Sequence, residues 1–247
     1  MKSEVFTLPN GSDITLTSYL LDSSKEMPNM ETRPAVLVLP GGGYHGCSDR
    51  EAEPVAMAFL AQGYHAFVLR YSVGKGKAAF PRPLEDAEAA LELIKTRADE
   101  WKVKKDKIAV IGFSAGGHLA AALATMGRVR PNAVILGYPC ILSSISSILA
   151  EPVPSVDEYV DGKTPPAFIF GSYEDTVVPI ENSLAFANAL DKAKVPFELH
   201  VFQKGHHGFS LANVVVSPEE KYLQENRFAR AWLELCIKWL NELFEFH

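Results

Sequence analysis

Ser114 stands in Gly112-Phe113-Ser114-Ala115-Gly116, between the β-branched run Ile108-Ala109-Val110-Ile111 and an alanine-rich stretch from Leu119 to Met126. A serine hydroxyl attacks an acyl carbon when a base takes its proton and a third group steadies that base. A strand that enters Gly-x-Ser-x-Gly and leaves as a helix suits this chemistry. The sharp turn lifts the hydroxyl above the sheet edge, and the first N–H groups of the helix face developing negative charge. Three fixed positions match by chance in roughly 0.08 of chains this long, so the motif needs partners elsewhere.

Two downstream loops supply them. After the apolar run 197–202 comes Gly205-His206-His207-Gly208-Phe209, where either histidine can serve as the base. After the run 167–170 comes Glu174-Asp175-Thr176-Val177-Val178-Pro179, where either acid can orient the imidazole. Donors for the oxyanion are expected from Pro40-Gly41-Gly42-Gly43-Tyr44, whose glycines let backbone N–H groups approach a substrate oxygen, and from the N–H of Ala115. Tyr44 and Phe209 are expected walls of an acyl pocket. The glycine run lacks GxGxxG spacing and the Gly-Lys-Ser/Thr ending of a phosphate loop. No HExxH pattern occurs, and adjacent histidines rarely chelate one ion. The chemistry therefore calls for no cofactor and no metal.

The elements that must position these residues follow a repeating order. Strands are expected at 4–8, 13–20, 35–39, 65–69, 108–111, 133–136, 167–170 and 197–202. Helices are expected at 53–62, 84–98, 117–126 and 180–192, with one long terminal helix at 218–244. Leu84, Ala87, Leu91 and Ile94 fall at helical spacing, which gives the second helix one face for the sheet. Strands alternating with helices imply a mostly parallel sheet of about eight strands covered on both faces. The first two strands, around Asn10-Gly11, read as a hairpin joined antiparallel to it. The stretch 140–164, with Pro152 and Pro154, fits neither period and is expected to form a small cap over the site within a single domain spanning 1–247.

Of the 247 residues, 47% are hydrophobic and 22% charged, which is ordinary for a globular α/β chain. A net charge of −6 gives no reason to expect a nucleic-acid or anionic-membrane partner. Three widely spaced cysteines, Cys47, Cys140 and Cys236, form no zinc pattern and suit a reducing compartment. The opening residues lack the apolar core of a secretory signal and no run is long enough to span a membrane, so a cytoplasmic location is expected. A homo-oligomer is left open.

Taken together, Pro40-Gly41-Gly42-Gly43-Tyr44, Pro83-Leu84-x-Asp86, Gly112 to Ala120, Asp175-x-x-Val178-Pro179 and Gly205-x-His207-Gly208 resemble the esterase/lipase group of α/β hydrolases, close to bacterial acetyl-esterase and acetylxylan-esterase-like proteins. The resemblance covers about residues 35–212. It implies an α/β-hydrolase fold, Ser114 as nucleophile, Asp175 as acid and His207, directly before glycine, as base. Gly42, Gly43 and Ala115 then form the oxyanion hole. Many relatives carry histidine before the glycines where this chain has Pro40, and the 140–164 segment is shorter than many caps. The implied substrate is a short-chain ester, in particular an O-acetyl group on a carbohydrate or other small alcohol. An arylformamidase, a thioesterase or a peptidase would use the same three residues. A non-catalytic binding protein on the same fold would be free to lose them.

Overall fold

The computed structural model describes residues 1–11 and 13–246. Its strands are β1 (Lys2–Thr7), β2 (Thr15–Leu20), β3 (Arg33–Leu39), β4 (His65–Arg70), β5 (Val103–Phe113), β6 (Ala133–Gly137), β7 (Ala167–Ser172) and β8 (Phe197–Phe202). The helices are α1 (Glu53–Leu60), α2 (Arg82–Thr96), α3 (Ala98–Trp101), α4 (Ala115–Thr125), α5 (Glu181–Ala193), α6 (Glu220–Glu225) and α7 (Trp232–Phe244). The strands form one sheet in the order β1-β2-β4-β3-β5-β6-β7-β8. β1 pairs antiparallel with β2, and β2 with β4; every other pairing is parallel. An eight-stranded, mostly parallel sheet with an antiparallel hairpin at one edge is the architecture expected from the sequence.

The two faces follow from strand alternation. Ala35, Leu37 and Leu39 of β3 join Ile108 and Val110 of β5 and Ile169 of β7 in one apolar cluster, which α2, α4 and α5 cover. Val36 and Val38 join Ala109, Ile111, Phe113, Phe168 and Phe170 in the other, beneath α1 and α7. Residues buried on both faces leave the central strands no polar side, so they read as unbroken apolar runs. On the second face Trp232 stacks flat on Phe170, with ring centroids 4.2 Å apart.

Two elements depart from the expected boundaries. β5 begins at Val103, because Lys104 to Lys107 continue the strand at its exposed end, where no apolar signal marks it. The terminal helix is interrupted: α6 ends at Glu225 and is capped by Asn226, a 3₁₀ turn spans Ala229–Ala231, and α7 follows. Asn226 is fully buried and its side-chain amide is committed to the backbone and ring of His206, which fixes the end of α6 against the histidine loop.

The chain places β4 on one side of β3 and β5 on the other. In open α/β sheets, ligands bind outside the strand C-termini where the order reverses in this way. The loop after β3 and the turn after β5 therefore meet at the crevice.

Candidate active site

Ser114 occupies that turn with φ 53° and ψ −119°, a conformation that costs a non-glycine residue of order 1–3 kcal/mol. Its neighbours permit the turn. A Cβ at Gly112 would collide with the Gly116 carbonyl, and one at Gly116 with the carbonyls of Leu39 and Pro40. The serine N–H donates to the Gly137 carbonyl (3.0 Å), and its own carbonyl accepts from His118 and Cys140 N–H. Only the side chain is left to face the crevice.

The Ser114 hydroxyl lies 2.8 Å from His207 Nε2, and His207 Nδ1 lies 2.7 Å from Asp175 Oδ2. Asp175 Oδ1 accepts from the N–H groups of Val177 and Val178, both at 2.9 Å. A carboxylate can only accept, so His207 Nδ1 carries the proton and Nε2 is free to accept from the serine. Asp175 is 5% exposed, whereas Glu174 points to solvent. The members of each pair thus stand in different surroundings. His206 is turned away, its Nδ1–H donating to the His207 carbonyl (2.6 Å) and its Nε2 accepting from Asn226 (2.9 Å). It braces the loop while His207 enters the relay. Ser172, at the end of β7, ties the same loop down through the Gly205 carbonyl (2.6 Å).

Gly42 (φ 126°) and Gly43 (φ 63°) form the turn after β3. Their carbonyls are engaged with His45 and Ala150 N–H, while no hydrogen bond among the described residues uses their own N–H groups. Ala115 is the first residue of α4, where an N–H has no partner within the helix. The three donors expected at the oxyanion are thus uncommitted and adjacent to Ser114. Gly42, Gly43 and Ser114 border a cavity of about 310 Å³ that is also lined by His45, Ser48, Arg50, Glu51, Ile148, Leu149, Val177, His207 and Gly208.

Neither expected pocket wall lines this cavity. Tyr44 is 1% exposed, and its hydroxyl donates to His118 Nδ1 (2.9 Å) behind the glycine turn. Phe209 is 2% exposed and packs edge-on against Tyr138, with centroids 4.7 Å apart. Both are large apolar rings at loop ends, and burial in the core claims them. The side chains that do reach the cavity, His45, Ser48, Arg50 and Glu51 on one side with Ile148, Leu149 and Val177 on another, carried no local sequence signal.

Further residues organise the crevice from below. Glu51 is 2% exposed and its carboxylate accepts from Gly41 N–H (2.8 Å) and the Tyr138 hydroxyl (2.6 Å); burial raises its pKa against the pull of those bonds. His118 Nε2–H donates to the Pro154 carbonyl (3.0 Å), so this ring joins α4, Tyr44 and the 140–164 segment. Burial lowers its pKa to about 4, which keeps it neutral. Cys140 Sγ sits 3.9 Å from Ser114 Oγ, with burial pushing the thiol up to about 12. Asp86, inside α2, accepts from Ser72 N–H and the Asn10 amide, both at 2.8 Å, and so fastens the hairpin to the helix rather than touching the site. No group of three or more metal-ligating side chains occurs among the described residues. No helix there is long and apolar enough to cross a membrane.

A sheet of this order, with a serine elbow after its central strand, defines an α/β hydrolase. Comparison with known proteins agrees. Residues 21–132 match the BD-FAE family model and residues 149–238 the prolyl oligopeptidase family model. An α/β hydrolase enzyme from a Medee basin deep-sea metagenome library is 47% identical over 99% of both chains, with a TM-score of 0.90. An acetyl ester-xyloside bifunctional hydrolase from Caldicellulosiruptor lactoaceticus is 36% identical over 93% of this chain and 88% of its own, with a TM-score of 0.80. An acetylxylan esterase of Xylanibacter ruminicola is 29% identical over 74% of this chain and 42% of its own length. The chain spans less than half the length of the curated relatives it matches first. It belongs to the α/β-hydrolase family.

Proposed function

We propose that the chain hydrolyses short-chain carboxylic esters, in particular O-acetyl groups on a carbohydrate or other small alcohol, through an acyl-enzyme intermediate. The observation that carries this reading is the relay Ser114–His207–Asp175, with contacts of 2.8 and 2.7 Å, at the mouth of a cavity bordered by uncommitted backbone donors. Ser114 attacks the acyl carbon as His207 Nε2 takes its proton. The N–H groups of Gly42, Gly43 and Ala115 hold the oxyanion, and Asp175 stabilises the imidazolium. His207 then protonates the leaving alcohol. Water, deprotonated by the same nitrogen, releases the acid. No step calls for a cofactor or metal.

The cavity supports a small acyl group and a hydroxyl-rich alcohol. Ile148, Leu149 and Val177 offer an apolar side, while His45, Ser48 and Arg50 offer hydrogen-bonding groups. We assign 140–164 as a cap on the single domain, since it delivers Ile148 and Leu149 to the cavity and donates Ala150 N–H to the Gly43 carbonyl (2.9 Å). The acetyl preference draws on the acetyl ester-xyloside hydrolase and the acetylxylan esterase. Three unpaired cysteines favour a cytoplasmic setting.

The test is turnover of p-nitrophenyl acetate, longer acyl esters and acetylated xylo-oligosaccharides by wild type and Ser114→Ala. Acetyl esters should be turned over fastest, and Ser114→Ala should be inactive. Undiminished activity in the variant sinks the assignment. The prolyl oligopeptidase match over 149–238 favours a second reading, a peptidase, and faster cleavage of a peptidyl p-nitroanilide than of any ester would select it.

A further inference from the structure

We infer that Glu51 is a positioning residue that locks the oxyanion loop and the histidine loop into one register, acting through Tyr138. The inference rests on the esterase reading above and concerns the residues beneath its site.

The side chain sits where the two loops meet. One carboxylate oxygen accepts from Gly41 N–H at 2.8 Å, one residue ahead of the proposed oxyanion donors Gly42 and Gly43. The other accepts from the Tyr138 hydroxyl at 2.6 Å. The Tyr138 oxygen in turn accepts from Ser210 N–H at 2.9 Å, three residues beyond His207. Ser210 closes the circuit, because its hydroxyl donates to the carbonyl of Arg50, the neighbour of Glu51 (2.6 Å), and its carbonyl accepts from Trp232 Nε1 (2.8 Å). The Tyr138 ring meets His207 edge-on, with centroids 5.0 Å apart. Three separate segments, after β3, β6 and β8, are thus joined through one carboxylate.

The donor pattern fixes its protonation state. The Tyr138 oxygen accepts a hydrogen bond from Ser210 N–H, so its own O–H donates to Glu51, and both carboxylate oxygens act as acceptors. Burial opposes that charge. A fold keeps a buried carboxylate only where its hydrogen bonds offset desolvation, and an apolar residue would fill the space at lower cost. The space itself is tight, because a Cβ on Gly41 would come within 2.6 Å of Glu51 Oε2 and 2.7 Å of the Phe113 carbonyl. The oxyanion turn therefore rests directly on the carboxylate. The groups facing Glu51 are His207 and Arg50, which favour its charge, and Tyr138, Tyr71 and Cys140, which are neutral.

The experiment compares wild type with Glu51→Gln and Tyr138→Phe. The first keeps the shape but places an amide N–H₂ against a donor. The second removes one hydroxyl and keeps the ring on His207. Because a lost oxyanion donor lowers turnover about 10²–10³-fold, kcat on p-nitrophenyl acetate should fall roughly 10²-fold in Glu51→Gln and about tenfold in Tyr138→Phe. KM should stay within about twofold, since ground-state binding does not use the oxyanion geometry. Affinity for a trifluoromethyl ketone, which forms an oxyanion adduct on a serine, should fall in parallel with kcat/KM. Amide hydrogen exchange should accelerate in both 41–48 and 205–211. Folded variants with kcat within threefold of wild type, a loss confined to KM, or faster exchange in only one loop would each overturn the inference. If Glu51→Gln does not fold, Tyr138→Phe decides. Should the wild type prove unable to hydrolyse acetyl esters, the esterase reading fails, and the paired exchange measurement alone judges the bridge.

Discussion

Replacing Asp175 with asparagine tests the tautomer argument at its narrowest point. Asp175 Oδ1 accepts two backbone N–H groups, from Val177 and Val178, each at 2.9 Å. Asparagine has one carbonyl oxygen, and rotating its amide to face two donors would strand both in a buried site. Each buried donor left unsatisfied costs about 1–3 kcal/mol, so the oxygen stays on the loop and the N–H₂ turns toward His207. Nδ1 must then accept, which moves the imidazole proton to Nε2, the atom that faces Ser114 at 2.8 Å. The base is lost although every atom remains nearly in place. The corresponding exchange in a serine protease lowers kcat about 10⁴-fold, and at 1.36 kcal/mol per factor of ten that is about 5 kcal/mol of barrier. Steady-state kinetics on p-nitrophenyl acetate should show this fall in kcat with KM nearly unchanged, and the melting temperature should stay within a few degrees. A variant within tenfold of wild type would refute the reasoning, since it would mean that Asp175 does not set the tautomer.

The two adjacent histidines should behave differently: His207→Ala should lose about 10⁴-fold or more in kcat, whereas His206→Ala should lose about tenfold through a loosened loop, and reversed kinetics would place the base at the wrong ring. Gly116→Ala should fail to accumulate as folded protein or should melt many degrees lower, because the new methyl meets the Leu39 and Pro40 carbonyls; a wild-type melting curve would count against the close approach. The buried His118, whose folded pKa of about 4 lies below the ordinary value near 6.5, takes up its proton more readily when the chain unfolds. Its contribution is complete above pH 6.5 and is lost as pH falls toward 4, amounting to something on the order of 3 kcal/mol. The pH dependence of urea unfolding should therefore be shallower in His118→Gln over that window, and an unchanged slope would exclude the assignment.

Much of this organisation could be read in the sequence because it is local. The elbow is written in five consecutive residues, and the central strands announce themselves as apolar runs because both faces are covered. The order of loops after β7 and β8 points to the acid and histidine pairs that the fold brings beside Ser114, and the resemblance to a family chooses within each. Glu51 and Tyr138 escaped notice because they stand 87 positions apart, and neither has a motif. Tyr44 and Phe209 lie in the core rather than on the expected pocket wall. A loop aromatic beside functional residues looks the same in sequence whether its ring faces a ligand or the core, and here the core takes both. The break between α6 and α7 depends on what Asn226 holds in another loop, which helical periodicity does not record.

The segment 140–164 is fastened at Ile141 and Leu142, at Ala150 and around Pro154 to Val156. Near its start, Asn182 Oδ1 takes the N–H groups of Ile141 and Leu142 at 2.9 and 3.0 Å. Further along, His118 Nε2–H donates to the Pro154 carbonyl, and Val156 N–H returns to the Ile141 carbonyl (3.1 Å). Ten or so residues hang from these two posts like a shelf slotted into a frame, and the shelf carries Ile148 and Leu149. A library varied at 143–149 and 151–153 therefore exchanges one wall of the cavity while the posts, the Ala150–Gly43 bond and the elbow helix stay as they are. Substrate range becomes a replaceable part on a fixed reaction centre.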